Sequence, residues 1–129
     1  MNLVQFTCIA LFLLHFSNGL NITLGSQTAG GNYDIYVNGE IYFPASDTKG
    51  VSIHHNGIVY SASPEDNNNF LKPMQRDVIS QGVDNQGSFI KHTTKWLTED
   101  TNIPMTTSAT IYDTTIVFTQ SFPKGTVEI

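Results

Sequence analysis

Between residues 96 and 125 the chain alternates apolar and small polar positions in two arms that mirror each other about Asp113-Thr114. Counting outward pairs Tyr112 with Thr115, Ile111 with Ile116, Ala109 with Phe118 and Met105 with Phe122. Side chains alternate across a strand, so Met105, Ala109, Ile111, Ile116, Phe118 and Phe122 share one face. Ser108, Thr110, Thr115 and Thr119 share the other, the pattern of a half-buried antiparallel pair. Burying an Ile or Phe contributes roughly 1.5–3 kcal/mol, and a one-residue slip would turn all of these side chains to water. The register is therefore fixed by the pattern, with Asp113-Thr114 as a two-residue turn or part of a longer loop.

Two further hairpins are marked by Asn-Gly, which supplies the two positive φ angles of a type I′ turn. Asn38-Gly39 joins residues 33–37 to residues 40–43, and Asn56-Gly57 joins residues 51–55 to residues 58–61. In the second hairpin Val51, Ile53, Ile58, Tyr60 and Ala62 fall on a core face, and Ser52, His54 and Ser61 on a wet one. Residues 20–24 read as a short edge strand, 27–32 as a glycine-containing loop and 63–72 as a loop. Residues 74–80 read as a short strand or helix, with Val78-Ile79 favouring the strand. Residues 82–87, bracketed by Gly82 and Gly87, predict a turn. The longer strand over 88–97 places Phe89 and Leu97 on one side, Ile90 and Trp96 on the other. The sum is an all-β fold, an antiparallel β-sandwich of about eight short strands, without an amphipathic helix of useful length.

The first residues stand apart. Residues 1–19 hold an apolar run from Cys8 to Phe16 that ends in Ser17-Asn18-Gly19, the arrangement of a secretory signal peptide with small residues before its cleavage site. The run is shorter than the ~20 residues needed to span a bilayer, which disfavours the alternative of a short uncleaved anchor. The expectation is a single domain over residues 20–129, secreted to the extracellular space without a stable membrane span. Cleavage would remove Cys8, the chain's one cysteine, so the mature domain would hold together without disulfides and without thiol chemistry. Asn21-Ile22-Thr23 is the one N-x-S/T sequon and makes Asn21 the candidate glycosylation site. Six basic against eleven acidic residues give a net charge of −5 over the 129-residue chain, with no Lys/Arg cluster. That balance argues against nucleic acid and anionic membranes as partners.

Candidate chemistry is sparse. His54 and His55 are adjacent on a strand and point to opposite faces, so they do not readily chelate one ion; His92 stands alone in the pattern. Asp84-Asn85, with Asp34, Glu65 and Asp66 elsewhere, offers oxygen ligands for calcium, yet the spacing fits no loop signature and is also that of a plain turn. Glu65-Asp66 and Glu99-Asp100 lie in polar loops, and no G-x-S-x-G elbow accompanies the serines. The expectation is no enzyme, no metal and no cofactor. Aromatic residues are the remaining feature: Tyr36 and Tyr112, on the less apolar faces, are the candidate ligand-binding residues for sugar rings, against core packing for the other aromatics.

Read with gaps, several motifs together suggest a family. They are Tyr36-Val37-Asn38-Gly39, His55-Asn56-Gly57 with Tyr60-Ser61, Gly82-x-Asp84-x-x-Gly87, Trp96, Thr107-Ser108, Ile111-Tyr112 and Val117-Phe118-x-Gln120-x-Phe122-Pro123-x-Gly125. The set resembles the amino-terminal β domain of large secreted eukaryotic glycoside hydrolases of the α-galactosidase and raffinose-synthase type. The resemblance implies catalytic carboxylates on a following (β/α)₈ barrel, none of which falls within these residues. It also implies that residues 20–129 are truncated before their partner, with residues 126–129 opening or ending a strand. The expected function is that of a non-catalytic accessory domain of a carbohydrate-active protein, with a free-standing extracellular glycan- or protein-binding module as the alternative. The sequence leaves ligand identity and oligomeric state open.

Overall fold

The structure, a computed structural model, describes residues 3–6, 9–15, 21–45, 50–62, 69–99, 101–122 and 125–128. Among these residues every regular element is a β-strand, and every strand pairing is antiparallel. In chain order they are β1 (Leu3–Phe6), β2 (Ile9–His15), β3 (Ile22–Leu24), β4 (Ile35–Val37), β5 (Glu40–Phe43) and β6 (Ser52–His55). There follow β7 (Ile58–Ser61), β8 (Leu71–Asp84), β9 (Gly87–Thr98), β10 (Pro104–Ile111), β11 (Thr115–Ser121) and β12 (Gly125–Glu128). The large sheet runs β2-β11-β10-β9-β8; β3-β4-β5 and β6-β7 form two small sheets, and β1 pairs with β12. From β3 to β11 there are nine strands against the about eight that the sequence suggests, and the strand favoured over residues 74–80 extends at both ends, into the predicted loop and the predicted turn, to form β8.

The β10–β11 hairpin has the register read from its pattern: Ala109 faces Phe118, Ile111 faces Ile116, and Tyr112 N donates to Thr115 O. Both Asn-Gly turns form as expected, with positive φ at Asn38 and Gly39 and at Asn56 and Gly57. Three expectations are corrected. Ile58, read onto the core face of the second hairpin, is exposed beside the Asn56-Gly57 turn, where only Tyr60 and its neighbours further along the strand reach the core. The element expected as a turn over 82–87 is strand up to Asp84, and only Asn85-Gln86 turns, with Gly87 at φ +117. Ser61, expected on a wet face, is buried because the returning chain covers it: Ser61 N donates to Asn69 O, and Ser61 bridges in parallel to Phe70. Residues 63–68 of the expected loop lie outside the described residues. The apolar run Ile9–His15, read as the body of a leader, is placed along β11, Thr115 opposite His15.

One face of the large sheet is the core. Ile53, Tyr60 and Ala62 of the β6–β7 hairpin pack onto Leu71, Trp96 and Met105; Ile22 and Ile35 of the β3–β4 pair pack onto Ile116. The two small sheets thus form a second layer on the large one, the sandwich that alternating apolar positions demand. Trp96 is the largest side chain in this interface and is 1% exposed. Its Nε1 donates to Thr107 Oγ1 (2.8 Å), so the indole is buried without an orphaned donor. Gly31, at φ +91, lies against its six-membered ring; a Cβ there would sit 2.6 Å from Cζ2. Neither the backbone angle nor the space admits a side chain.

Gly31→Ala therefore combines left-handed backbone strain with overpacking and is expected to lower stability by about 2–4 kcal/mol. Gly39→Ala, also at positive φ but with nothing within 4 Å of the added methyl, is expected to cost only about 1 kcal/mol. Urea unfolding of the two variants checks the difference, and equal losses would remove the close packing from the account.

Candidate functional site

The long edge strand β8 bulges twice against β9. Across the second irregularity Gln75 faces Lys95 and Val78 faces Thr93, leaving Arg76 and Asp77 together opposite Thr94. Two residues against one is a β-bulge, and it lets consecutive side chains reach the same face. Asp77 takes the strain, at φ +48, with its N–H donating to Thr94 Oγ1 (3.1 Å). Its Oδ1 accepts from Tyr33 Oη and from His92 Nδ1, each at 2.8 Å, which places the His92 proton on Nδ1. The Tyr33 and His92 rings meet edge to face, with centroids 5.6 Å apart. Arg76 lies with Cζ 5.5 Å from the centroid of Trp96 and donates to Thr28 O (3.1 Å) and Ala29 O (2.8 Å). Gln27 Nε2 completes the group with a bond to Thr94 Oγ1 (2.9 Å). This network ties the 27–33 loop to the large sheet. These bonds hold the loop in place on the edge of the sheet.

Burial, and then the bond to Asp77, raise the Tyr33 phenol well above its ordinary value. The unfolded chain ionises first, so the stabilisation is complete below about pH 10 and is lost as pH climbs toward the folded-state value.

The other polar grouping lies where the β8–β9 hairpin overhangs its cover. By register Val83, Ile90 and Ile111 share the face that carries Trp96, but the second layer ends at Asn21 and Ile22. Val83 is consequently 78% exposed. An open cleft of about 580 Å³ occupies this end, lined by Asn21 and Ile22 and by residues 81–83, 88–90 and 111–113; Val83, Ile90 and Ile111 face it, whereas the Phe89 and Tyr112 rings stand on the opposite face of the sheet. Phe89 lies across Gly82, where a Cβ would come within 2.6 Å of its Cζ, so the ring covers bare backbone. Phe89 and Tyr112 meet edge to face at 5.9 Å. Tyr112 Oη donates to Asp84 Oδ2 (2.6 Å), and Gln86 N donates to Asp84 Oδ1 (2.8 Å). The bond from Tyr112, then that from Gln86, holds the Asp84 carboxyl below the usual range; in return the Asp84 bond raises the Tyr112 phenol. The carboxylate contacts are present above the ordinary carboxylate pKa and are lost as pH falls through the folded value.

Of the residues expected to bind ligand, Tyr112 borders this cleft with its ring on the opposite face, and Tyr36 does not line it. Tyr36 pairs with Thr23 and Ile41, half buried, its Cε2 3.2 Å from a Cβ built on Gly25. Asn21 is exposed at the cleft wall. Asp84 is engaged in its own turn, as the plain-turn reading has it, and Asp34 Oδ1 accepts from Ala45 N (2.6 Å). Glu65, Asp66 and Asp100 lie outside the described residues; His54 is exposed, and His55 Nε2 lies 3.2 Å from Asn56 Nδ2. Among the described residues no three His, Cys, Asp or Glu converge on a point. His92, solitary in the sequence pattern, is the partner of Asp77. The Tyr33, Arg76 and Asp77 arrangement was missed because it depends on a bulge that only the β8–β9 pairing defines. Phe89 was missed because its alternation with Leu97 carries no sign of the Gly82 opposite it. Compared with protein-family models, curated proteins and solved structures, the chain matches none.

Two outcomes follow. Tyr112→Phe is expected to move the Asp84 titration upward, toward but short of the ordinary carboxylate value because Gln86 N remains; carboxyl-carbon NMR reads this, and an unchanged titration contradicts the assigned bond. Tyr33→Phe is expected to lose about 1.5–3 kcal/mol at neutral pH with the bond to a charged acceptor. That deficit should shrink above about pH 10 as the native chain loses its advantage, measured by urea unfolding across an alkaline series.

Proposed function

We propose that this chain is a secreted, non-catalytic β-sandwich domain, the accessory amino-terminal part of a carbohydrate-active protein, whose sugar-contacting surface is the face of the β8–β9 hairpin end that carries Phe89 and Tyr112. The observation that carries the reading is the pairing of Phe89 and Tyr112 beside a carboxylate that is already oriented. A sugar presents a C–H face that packs on aromatic rings and hydroxyls that bond to fixed carboxylates and amides. Tyr112 is held by Asp84 and Phe89 by its seat on Gly82, so neither ring loses much freedom on binding. The apolar run from Cys8 to Phe16 with Ser17-Asn18-Gly19 behind it, the lack of cysteine after it and the Asn21 sequon support passage through the secretory route. Removal of residues 1–19 would also remove the strand lying on β11.

A free-standing protein-binding module is the second reading. It is favoured by β8, a fourteen-residue edge strand with Met74, Val78, Ile79 and Val83 exposed. Such an edge accepts an added strand unless something covers it.

Titration of the secreted domain with mono- and oligosaccharides, followed by NMR, tests the first reading. Dissociation constants on the order of 1 mM, about −4 kcal/mol, are expected for so open a site. Shifts should centre on Phe89, Tyr112 and Asp84, and Tyr112→Ala should weaken binding at least tenfold while Tyr36→Ala leaves it unchanged. Absence of binding to every sugar tried would discard the Phe89–Tyr112 face as a sugar surface and leave the edge of β8 as the feature to explain.

A further inference from the structure

The two halves of β8 treat their outer edge differently. Among the described residues no strand pairs with that edge. Residues 71–77 carry the devices that keep an edge from pairing: Lys72 and Arg76, Pro73 without an N–H, and both bulges. Arg76 also pins the 27–33 loop there through Thr28 O and Ala29 O. Residues 78–83 carry none of these. They pair with β9 without a break and hold no charge in a chain of net charge −5, and Val78, Ile79 and Val83 are exposed.

The hairpin turn decides which backbone groups are free. Asp84 and Gly87 flank the two-residue turn as a hydrogen-bonded pair, so Gly82, Ser80 and Val78 bond β9 likewise. Ile79, Gln81 and Val83 then turn their N–H and C=O groups to the outer edge. Their side chains share one face, opposite His92, Ile90 and Ser88 of β9. A donor and an acceptor on every second residue is the ladder that an added antiparallel strand takes up.

We infer that the occupant of this edge is the same edge of a second copy, paired antiparallel about a two-fold through Gln81. This rests on the reading of β8 as a docking edge and is independent of the sugar reading. A two-fold normal to the sheet pairs residue 81 with 81 and residue 79 with 83, so every outward group of both strands is bonded. Ile79 of each copy lies across from Val83 of the other, with Gln81 against Gln81 between them. No charge meets a like charge: Asp84 falls opposite Val78, and Ser80 opposite Gly82. The two-folds through the other outward residues fail. Centring on Ile79 sets Gln81 against Asp77, whose backbone is at φ +48 with its N–H held by Thr94 Oγ1. Centring on Val83 runs into the turn at Asn85-Gln86. Self-complementarity in one register is what selects a second copy over an unrelated strand. An interface confined to one short edge belongs to the class below ~1,200 Å², so the dimer forms and dissociates with concentration. Both Phe89–Tyr112 faces end on the same side of the joined sheet, where one repeating saccharide can engage the two together.

Sedimentation of the full chain from about 10 μM to 1 mM is expected to show a monomer–dimer equilibrium with a dissociation constant on the order of 0.1 mM. In a mixture of differently labelled copies, NMR should show contacts between the methyls of Ile79 and Val83, which within one strand lie ~13 Å apart and cannot touch. Ile79→Lys should weaken association at least tenfold, and adding Val83→Glu should restore it by setting the new carboxylate opposite the new ammonium of the other copy. Both side chains are exposed, so neither change disturbs the core. A monomer throughout the range, or a dimer without the Ile79–Val83 contacts, overturns the inference. Amide exchange then separates it from the reading beneath it. Fast exchange at Ile79, Gln81 and Val83 leaves β8 an open edge for a different strand, whereas slow exchange in the monomer shows the edge covered by its own chain and overturns the docking reading as well.

Discussion

The seat of Trp96 is the contact on which the other packing depends. Its indole lies between Gly31 on one side and the guanidinium of Arg76 on another, its Nε1–H is satisfied by Thr107, and Ile53, Tyr60 and Met105 surround it in the same cluster. One side chain on β9 thereby touches the 27–33 loop, the β6–β7 hairpin and the neighbouring strand. Truncating a buried Trp to Ala typically costs about 3–5 kcal/mol, a large share of the stability of a domain this size. The backbone follows the same route: Val51 N donates to Gly30 O, and Ala62 N to Val51 O, so the loop that closes over Trp96 also carries the second layer.

From that seat the rest is a matter of lengths. The large sheet's β8 and β9 have fourteen and twelve residues, whereas β6 and β7, which pack on them, have four each, and β3 and β4, which pack on β11, three each. A short layer on a long hairpin leaves the hairpin's end uncovered, and the core face there becomes the wall of a cleft. The bulge at Arg76-Asp77 fits the same geometry. It turns two polar side chains to one face where a regular strand would allow one, and it places the positive φ at Asp77 under a load of three polar partners, Tyr33, His92 and Thr94.

Much of this was legible in the sequence, for definable reasons. The β10–β11 register was readable because Ile111, Ile116, Ala109 and Phe118 leave one arrangement that buries them together, and the two Asn-Gly turns because few other residue pairs adopt their angles. The extent of β8 was not. Its residues Lys72, Gln75, Arg76, Asp77 and Ser80 interrupt the alternation, since an edge strand with two bulges has no period to keep. The Tyr33-Asp77-His92 group joins residues far apart in the chain through that irregular pairing, so no local spacing announces it. Tyr112 was legible as an aromatic on the polar side of a well-patterned strand. The same reasoning chose Tyr36 and could not see that its ring packs over Gly25. Phe89 was hidden because what matters is the glycine opposite it, a cross-strand fact.

The central claim is that the second layer is held to the large sheet through Trp96 as a single cooperative unit. Native-state hydrogen exchange tests it most directly, by comparing the Trp96 indole N–H and the amides of Val51 and Ala62 with the amides at the centre of β10. The account predicts that all of them open with free energies within about 1 kcal/mol of global unfolding. Fast exchange at Val51 and Ala62, with the β10 amides still protected, would show the layers coming apart independently and would contradict it.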